Sequence, residues 1–130
     1  PYMSNDITAG EIMTRKLFKV MPANDLNFIE VLSEVAHIRH IPVVDHEDRI
    51  QGVISVRNIM EHLAKPNASH FAPASSIMTR NAVIASPQTG LRDIAKLMLE
   101  HKVSSIMIVE DETLVGIVTE HDFVKQFAKS

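Results

Sequence analysis

The sequence predicts an α+β protein built from two pseudo-symmetric β-α-β-β-α units packed sheet to sheet. Three observations lead there. One pattern returns 65 residues later along the chain, as from Thr14 to Thr79. Extended and helical periodicities alternate in the same order within each copy. A chain of 130 residues with 45% hydrophobic and 22% charged residues has an ordinary globular composition.

The repeat is dense enough to exclude coincidence. Ile12-Met13-Thr14-Arg15 returns as Ile77-Met78-Thr79-Arg80, and at the same offset Pro22 meets Pro87, Leu26 meets Leu91, Ile29 meets Ile94 and Ile41 meets Ile106. After a one-residue gap near Asp48, Gly52 to Asn58 lies over Gly116 to Asp122. The copies are assigned to residues 11–65 and 76–128, with a connector at 66–75 that carries Pro66 and Pro73 and follows neither periodicity. Either copy alone is of a size that buries only about 60% of its unfolded surface, so the two are expected to share their stability.

Within the first copy, Phe18 to Val20 reads as a short strand ending at Pro22. Asn24 or Asp25 can cap a helix from Leu26 to His37, whose Phe28, Ile29, Leu32 and Val35 form a broad apolar face. Ile41 to Val44 reads as a strand, Asp45 to Arg49 as a hairpin turn, Gln51 to Ser55 as a second strand, and Val56 to Leu63 as a helix. The second copy repeats the series at Val83 to Ala85, Leu91 to His101, Ile106 to Val109, Leu114 to Thr119 and Glu120 to Ala128.

Charge and composition narrow the function. With 13 Lys and Arg against 16 Asp and Glu, the net charge of -3 lacks the basic excess of a general nucleic-acid binder. The absence of cysteine removes disulfides and thiolate metal sites. No apolar run approaches the roughly 18 residues of a membrane-spanning helix, and with no apparent signal peptide the expected location is the cytoplasm.

The ordered strings, twice over, resemble a tandem cystathionine-β-synthase (CBS) domain pair, or Bateman module. They are Ile-Met-Thr-Arg, a Pro after the first strand, His40-Ile-Pro-Val-Val-Asp45 or its variant, and Gly-hydrophobic-hydrophobic-Ser/Thr-x-x-Asp/Asn. The resemblance covers roughly positions 11 to 128. It implies a regulatory module without catalysis of its own, which binds adenosine-containing ligands in clefts between the copies and commonly forms a homodimer through its helices. Carried over by position, it implies a main cleft of Thr14, Phe18, Ile38, Arg39, His40, Thr119, His121 and Asp122. It implies a second, weaker cleft of Thr79, Val83, Val103, Ser104, Ser105, Ser55, Arg57 and Asn58.

The residue chemistry suits such a ligand. Ser55 and Thr119 stand where a strand becomes a helix, where exposed N–H groups and the helix dipole favour an anion such as phosphate. The Asp122 carboxylate offers two acceptors for a ribose diol, whereas Asn58 offers one acceptor oxygen, so the Asp122 cleft is expected to bind ribose more tightly. Arg39, His40 and, when protonated, His121 add positive charge for phosphates; Ser104 and Ser105 replace the first two in the second copy. Phe18, Ile38, Val83 and Val103 either flank an adenine or are plain core. Thr119-x-x-Asp122 and Ser55-x-x-Asn58 equally fit capping boxes that close their own helix starts, and capping and binding can coexist.

The expected ligand is an adenosine nucleotide (AMP, ADP or ATP), acting as a regulator; no cofactor is required. The alternatives are an S-adenosylmethionine sensor and a ligand-independent dimerisation scaffold, the latter suggested by Ile59, Met60, Leu63, Phe123, Val124 and Phe127. The downstream protein partner is not specified by the sequence, and neither nucleic acid nor membrane is expected as a partner. His37-x-x-His40 lacks further ligands to complete a metal set. Phosphate-loop, nucleophile-elbow and zinc-hydrolase strings are absent, so the chain is not expected to be an enzyme.

Overall fold

The computed structural model describes residues 5–129. In chain order the elements are α1 (Ala9–Ile12), α2 (Leu26–Ala36), β1 (His40–Val44), β2 (Ile50–Ser55), α3 (Val56–Leu63), α4 (Ala74–Ile77), β3 (Ile84–Ala85), α5 (Leu91–His101), β4 (Ser105–Glu110), β5 (Thr113–Thr119) and α6 (Glu120–Lys129). Helices and two small sheets form an α+β fold. They divide into two compact units: one is Phe18–Ala82, and the other joins the arm ending at Leu17 to the chain from Val83 onward.

In the Phe18–Ala82 unit, β1 and β2 form an antiparallel hairpin. Asp25 Oδ1 caps α2 by accepting the Phe28 N–H at 3.0 Å, while Asn24 instead ties down the Met21 N–H. Leu26 and Ile29 on the inner face of α2 meet Val20, Ile41, Val43, Ile54, Ala74 and Ile77 in a buried core. Each fully buried Leu, Ile or Val side chain among them contributes about 1.5–3 kcal/mol through removal of apolar surface from water. The connector is part of this unit, because Leu26 N–H donates to the Ala72 carbonyl at 2.9 Å and Ala74 N–H to the Asn24 carbonyl at 2.7 Å.

The other unit has three strands in the order β3-β4-β5. Ala9, Met13, Ile94, Ile106, Ile108 and Val118 form its core. The expected strand at Val83 to Ala85 is present as β3, parallel to β4. Its counterpart at Phe18 to Val20 is reduced to a single bridge between Val20 and Val43. The reason is one N–H. Met107 N–H donates to the Val83 carbonyl at 2.9 Å, whereas Pro42, at the Met107 position of the first copy, has no N–H to give Phe18.

Two four-residue helices escaped the periodicity. Each immediately precedes the Met-Thr pair of one Ile-Met-Thr-Arg string, and each presses that string onto the unit made largely from the other copy. Close approach requires glycine on the receiving strand. A Cβ on Gly52 would lie 2.7 Å from both the Met78 sulfur and the Thr79 carbonyl oxygen; one on Gly116 would lie 2.8 Å from Met13 Cγ and closer still to its sulfur.

The one-residue gap near Asp48 is a difference in hairpin loop. The β4–β5 turn has two central residues, Asp111 and Glu112, both at positive φ (51° and 67°), the signature of a type I′ turn. In the first copy Asp48 N–H closes on the Asp45 carbonyl at 3.0 Å, and Asp48 takes the left-handed conformation at φ 61°, adding the extra residue.

Candidate functional site

The strand-to-helix corner of β5 and α6 turns Asp122 inward, leaving it 2% exposed. Its Oδ2 accepts the Thr119 N–H at 2.8 Å and the Thr119 hydroxyl at 3.3 Å. Oδ1 accepts the Thr14 hydroxyl at 2.9 Å, and the Lys125 ammonium stands 3.6 Å away. A buried carboxylate requires such compensation, and here both oxygens are engaged by the protein's own donors. Thr14 arrives by backbone pairing: its N–H donates to the Ile117 carbonyl at 2.8 Å and its carbonyl accepts the Ile117 N–H at 3.1 Å.

The β2–α3 corner repeats this construction with an amide. Asn58 Oδ1 accepts the Ser55 N–H at 2.8 Å and the Ser55 hydroxyl at 2.9 Å, and the Asn58 N–H donates back to Ser55 Oγ at 3.3 Å. Asn58 Nδ2 donates to Thr79 Oγ1 at 3.2 Å. Thr79 pairs with Val53 in both directions, at 2.9 and 3.0 Å. The reciprocal Ser55–Asn58 bonds form a capping box at the start of α3, and at α6 the Asp122 carboxylate makes the matching half of that pattern by accepting from the Thr119 N–H and hydroxyl.

The remaining sequence-derived residues distribute between the units. Phe18, Ile38, Arg39, His40, Ser55, Arg57, Asn58 and Thr79 belong to the Phe18–Ala82 unit; Thr14, Val83, Val103, Ser104, Ser105, Thr119, His121 and Asp122 belong to the other. Within the first group His40 pairs directly opposite Ser55, and Val56 N–H donates to the Arg39 carbonyl at 3.3 Å, so Arg39 and His40 share a corner with Asn58. Ser105 likewise pairs opposite Thr119. Ile38, Val83 and Val103 pack against the cores of their own units. Arg39, Arg57 and His121 are exposed.

Lys125 was missed by sequence reasoning, although its spacing three residues after Asp122 on a helix was the available signal. The corresponding position in the first copy is Glu61, a reversal of charge. Among the described residues, no group of three or more His, Asp or Glu is arranged to hold a metal ion, and no helix is long and apolar enough to cross a membrane.

Comparison with known proteins identifies the family. Residues 9–65 and 74–129 each match the CBS domain family, and the chain belongs to it as a tandem pair. It is 28% identical over 119 residues to inosine-5'-monophosphate dehydrogenase of Methanocaldococcus jannaschii, covering 91% of this chain but only 23% of that enzyme. Its fold is that of the CBS domain pair of protein MJ0100 in complex with 5'-methylthioadenosine and S-adenosyl-L-methionine, with TM-score 0.84, 24% identity and coverage of 94% of this chain and 96% of that one. CBSX2 in complex with AMP is similar in fold, with TM-score 0.82, 24% identity and coverage of 94% and 96%.

Proposed function

We propose that this chain is a cytoplasmic regulatory module, without catalysis of its own, that binds adenosine nucleotides and signals by movement of one CBS repeat relative to the other. The observation carrying this reading is the constellation of Thr14 and Thr119 around the buried Asp122, repeated as Thr79 and Ser55 around Asn58. It belongs to a fold whose solved relatives include a pair holding AMP. The resemblance joins Thr14, Thr119, His121 and Asp122 with Phe18, Ile38, Arg39 and His40 as the main site. It joins Ser55, Arg57, Asn58 and Thr79 with Val83, Val103, Ser104 and Ser105 as the weaker one. A ligand's diol would take over acceptor capacity on Asp122 that the protein's own donors now use, and its phosphate would face the N–H groups of a helix start.

Two further readings have observations of their own. The adenosyl compounds bound by protein MJ0100 favour an S-adenosylmethionine sensor. Exposed Met60, Leu63, Val124 and Phe127 favour a dimerisation scaffold. Calorimetric titration of the whole chain with AMP, ADP, ATP and S-adenosylmethionine separates the three. Saturable nucleotide binding, lost in Asp122→Ala while circular dichroism shows retained helix, is the expected result. Unaltered nucleotide affinity in that variant removes Asp122 from the site. Silence toward every compound at millimolar concentration leaves the scaffold.

A further inference from the structure

The last residue of each Ile-Met-Thr-Arg string has a task outside the two corners. Helix α1 makes its final bond from the Met13 N–H to the Ala9 carbonyl at 2.8 Å, and α4 makes its own from Met78 to Ala74 at 2.9 Å. One residue further, a continuing helix would aim the Thr14 N–H at the Gly10 carbonyl and the Thr79 N–H at the Ser75 carbonyl. Neither goes there. Thr14 gives its N–H to the Ile117 carbonyl at 2.8 Å, and Thr79 gives its own to the Val53 carbonyl at 2.9 Å. The helix carbonyls so released are met by side chains: Arg15 Nη2 donates to the Gly10 carbonyl at 3.1 Å, and Arg80 Nη2 to the Ser75 carbonyl at 3.2 Å.

We infer that Arg15 and Arg80 are positioning residues, each replacing at a helix end the N–H that the neighbouring threonine has carried to a strand. Two conformations compete for that N–H. With the guanidinium on the helix carbonyl, the threonine amide pairs with β5 or β2, and its hydroxyl stands 2.9 Å from Asp122 Oδ1 or 3.2 Å from Asn58 Nδ2. Without the guanidinium, a helix longer by one residue draws the same amide back to satisfy its carbonyl. Repetition carries the argument. In both copies the arginine reaches five residues back along the chain, to positions 65 residues apart that the repeat equates.

The effect on a ligand rests on the nucleotide reading, whereas the effect on the threonines does not, and the two are measured separately. Amide hydrogen exchange of the whole ¹⁵N-labelled chain without ligand comes first. Arg15→Ala is expected to speed exchange at Thr14 about five-fold relative to Val118 in β5, with Thr79 unchanged. Arg80→Ala is expected to do the same at Thr79 relative to Ile54 in β2, with Thr14 unchanged. Arg15→Lys and Arg80→Lys keep a charged donor and should stay near wild type. Unaltered threonine exchange in the alanine variants, lysine variants that exchange like the alanine ones, or a rise shared equally by the strand amides overturns the inference. Titration with AMP and adenosine then measures the site. Arg15→Ala is expected to weaken both compounds about three-fold. A loss confined to AMP would make the guanidinium a phosphate contact and overturn the positioning role. Silence of the wild type toward both compounds overturns the nucleotide reading and leaves the exchange result standing.

Discussion

The unit of Phe18–Ala82 and the unit closed by the N-terminal arm are copies of one plan that differ at a handful of atoms, and those atoms decide strand number, turn type and polar chemistry. Pro42 against Met107 removes one N–H and with it a strand. Asn58 against Asp122 changes an amide into a carboxylate within the same capping geometry. Glu61 against Lys125 leaves the carboxylate with a cation one turn away and the amide without its equivalent. The lesson is that a duplicated scaffold tolerates divergence where hydrogen bonds can be exchanged one for one, because each copy keeps its buried polar groups satisfied by a different set of donors. Among the described residues, no buried side-chain nitrogen or oxygen lacks a partner.

The contrast is sharpened most by deleting the two motif side chains. Asp122→Ala strands the donors that converge on it and is expected to cost about 2–3 kcal/mol, against about 1 kcal/mol for Asn58→Ala, as read by urea unfolding. Equal losses would mean that burial of the carboxylate carries no extra consequence.

Next come the glycines. Gly52→Ala drives a methyl toward a backbone carbonyl oxygen as well as a methionine, and is expected to destabilise by about 1–3 kcal/mol. For Gly116→Ala the nearest atoms all belong to the flexible Met13 side chain, so it should cost less. The reverse order of melting temperatures would break the distinction between the two arms.

Hairpin turns should respond more weakly and in the stabilising direction. Glu112 adopts φ 67° at a position that glycine takes without steric penalty, so Glu112→Gly should gain about 0.5–1 kcal/mol. Asp48 is also left-handed and pairs with Lys19 at 2.9 Å, a surface pair whose loss offsets part of the relief, so Asp48→Gly should gain at most about 0.5 kcal/mol. Chemical denaturation of both variants measures the difference.

The smallest effect is at Asp45, which accepts the N–H groups of Glu47 at 2.8 Å and Arg49 at 3.0 Å. The Arg49 backbone bond, foremost, holds its carboxyl below the usual carboxylate range. A lowered folded value means stability that is present above the ordinary aspartate range and lost as pH falls through the lowered value. The slight advantage of wild type over Asp45→Asn should accordingly be seen at neutral pH and vanish in acid.

Much of this architecture was legible in the residues. The helices α2 and α5 carry long apolar stripes, and the two hairpins carry short apolar runs with polar turns between them. The helices α1 and α4 are too short to establish a period, although Thr8-x-x-Glu11, whose Glu11 carboxylate accepts the Thr8 N–H at 2.6 Å, was a readable capping box. The loss of the strand at Phe18 to Val20 was readable too, because a proline at a pairing position announces a missing donor. Spacing could suggest that Asp122 and Thr119 cap one another. It could not reveal the bond from Thr14, which lies 108 residues away in sequence and depends on how the arm is routed.

That routing has a consequence for biosynthesis. The segment Phe18–Ala82 is continuous and has all its parts once Ala82 has left the ribosome, whereas the other unit must keep its opening arm waiting until the last helix has been made. A truncated product ending after the first copy would thus lack the Met78–Thr79 piece that closes onto Gly52, so the sequence repeat and the compact unit of the fold are different lengths of chain.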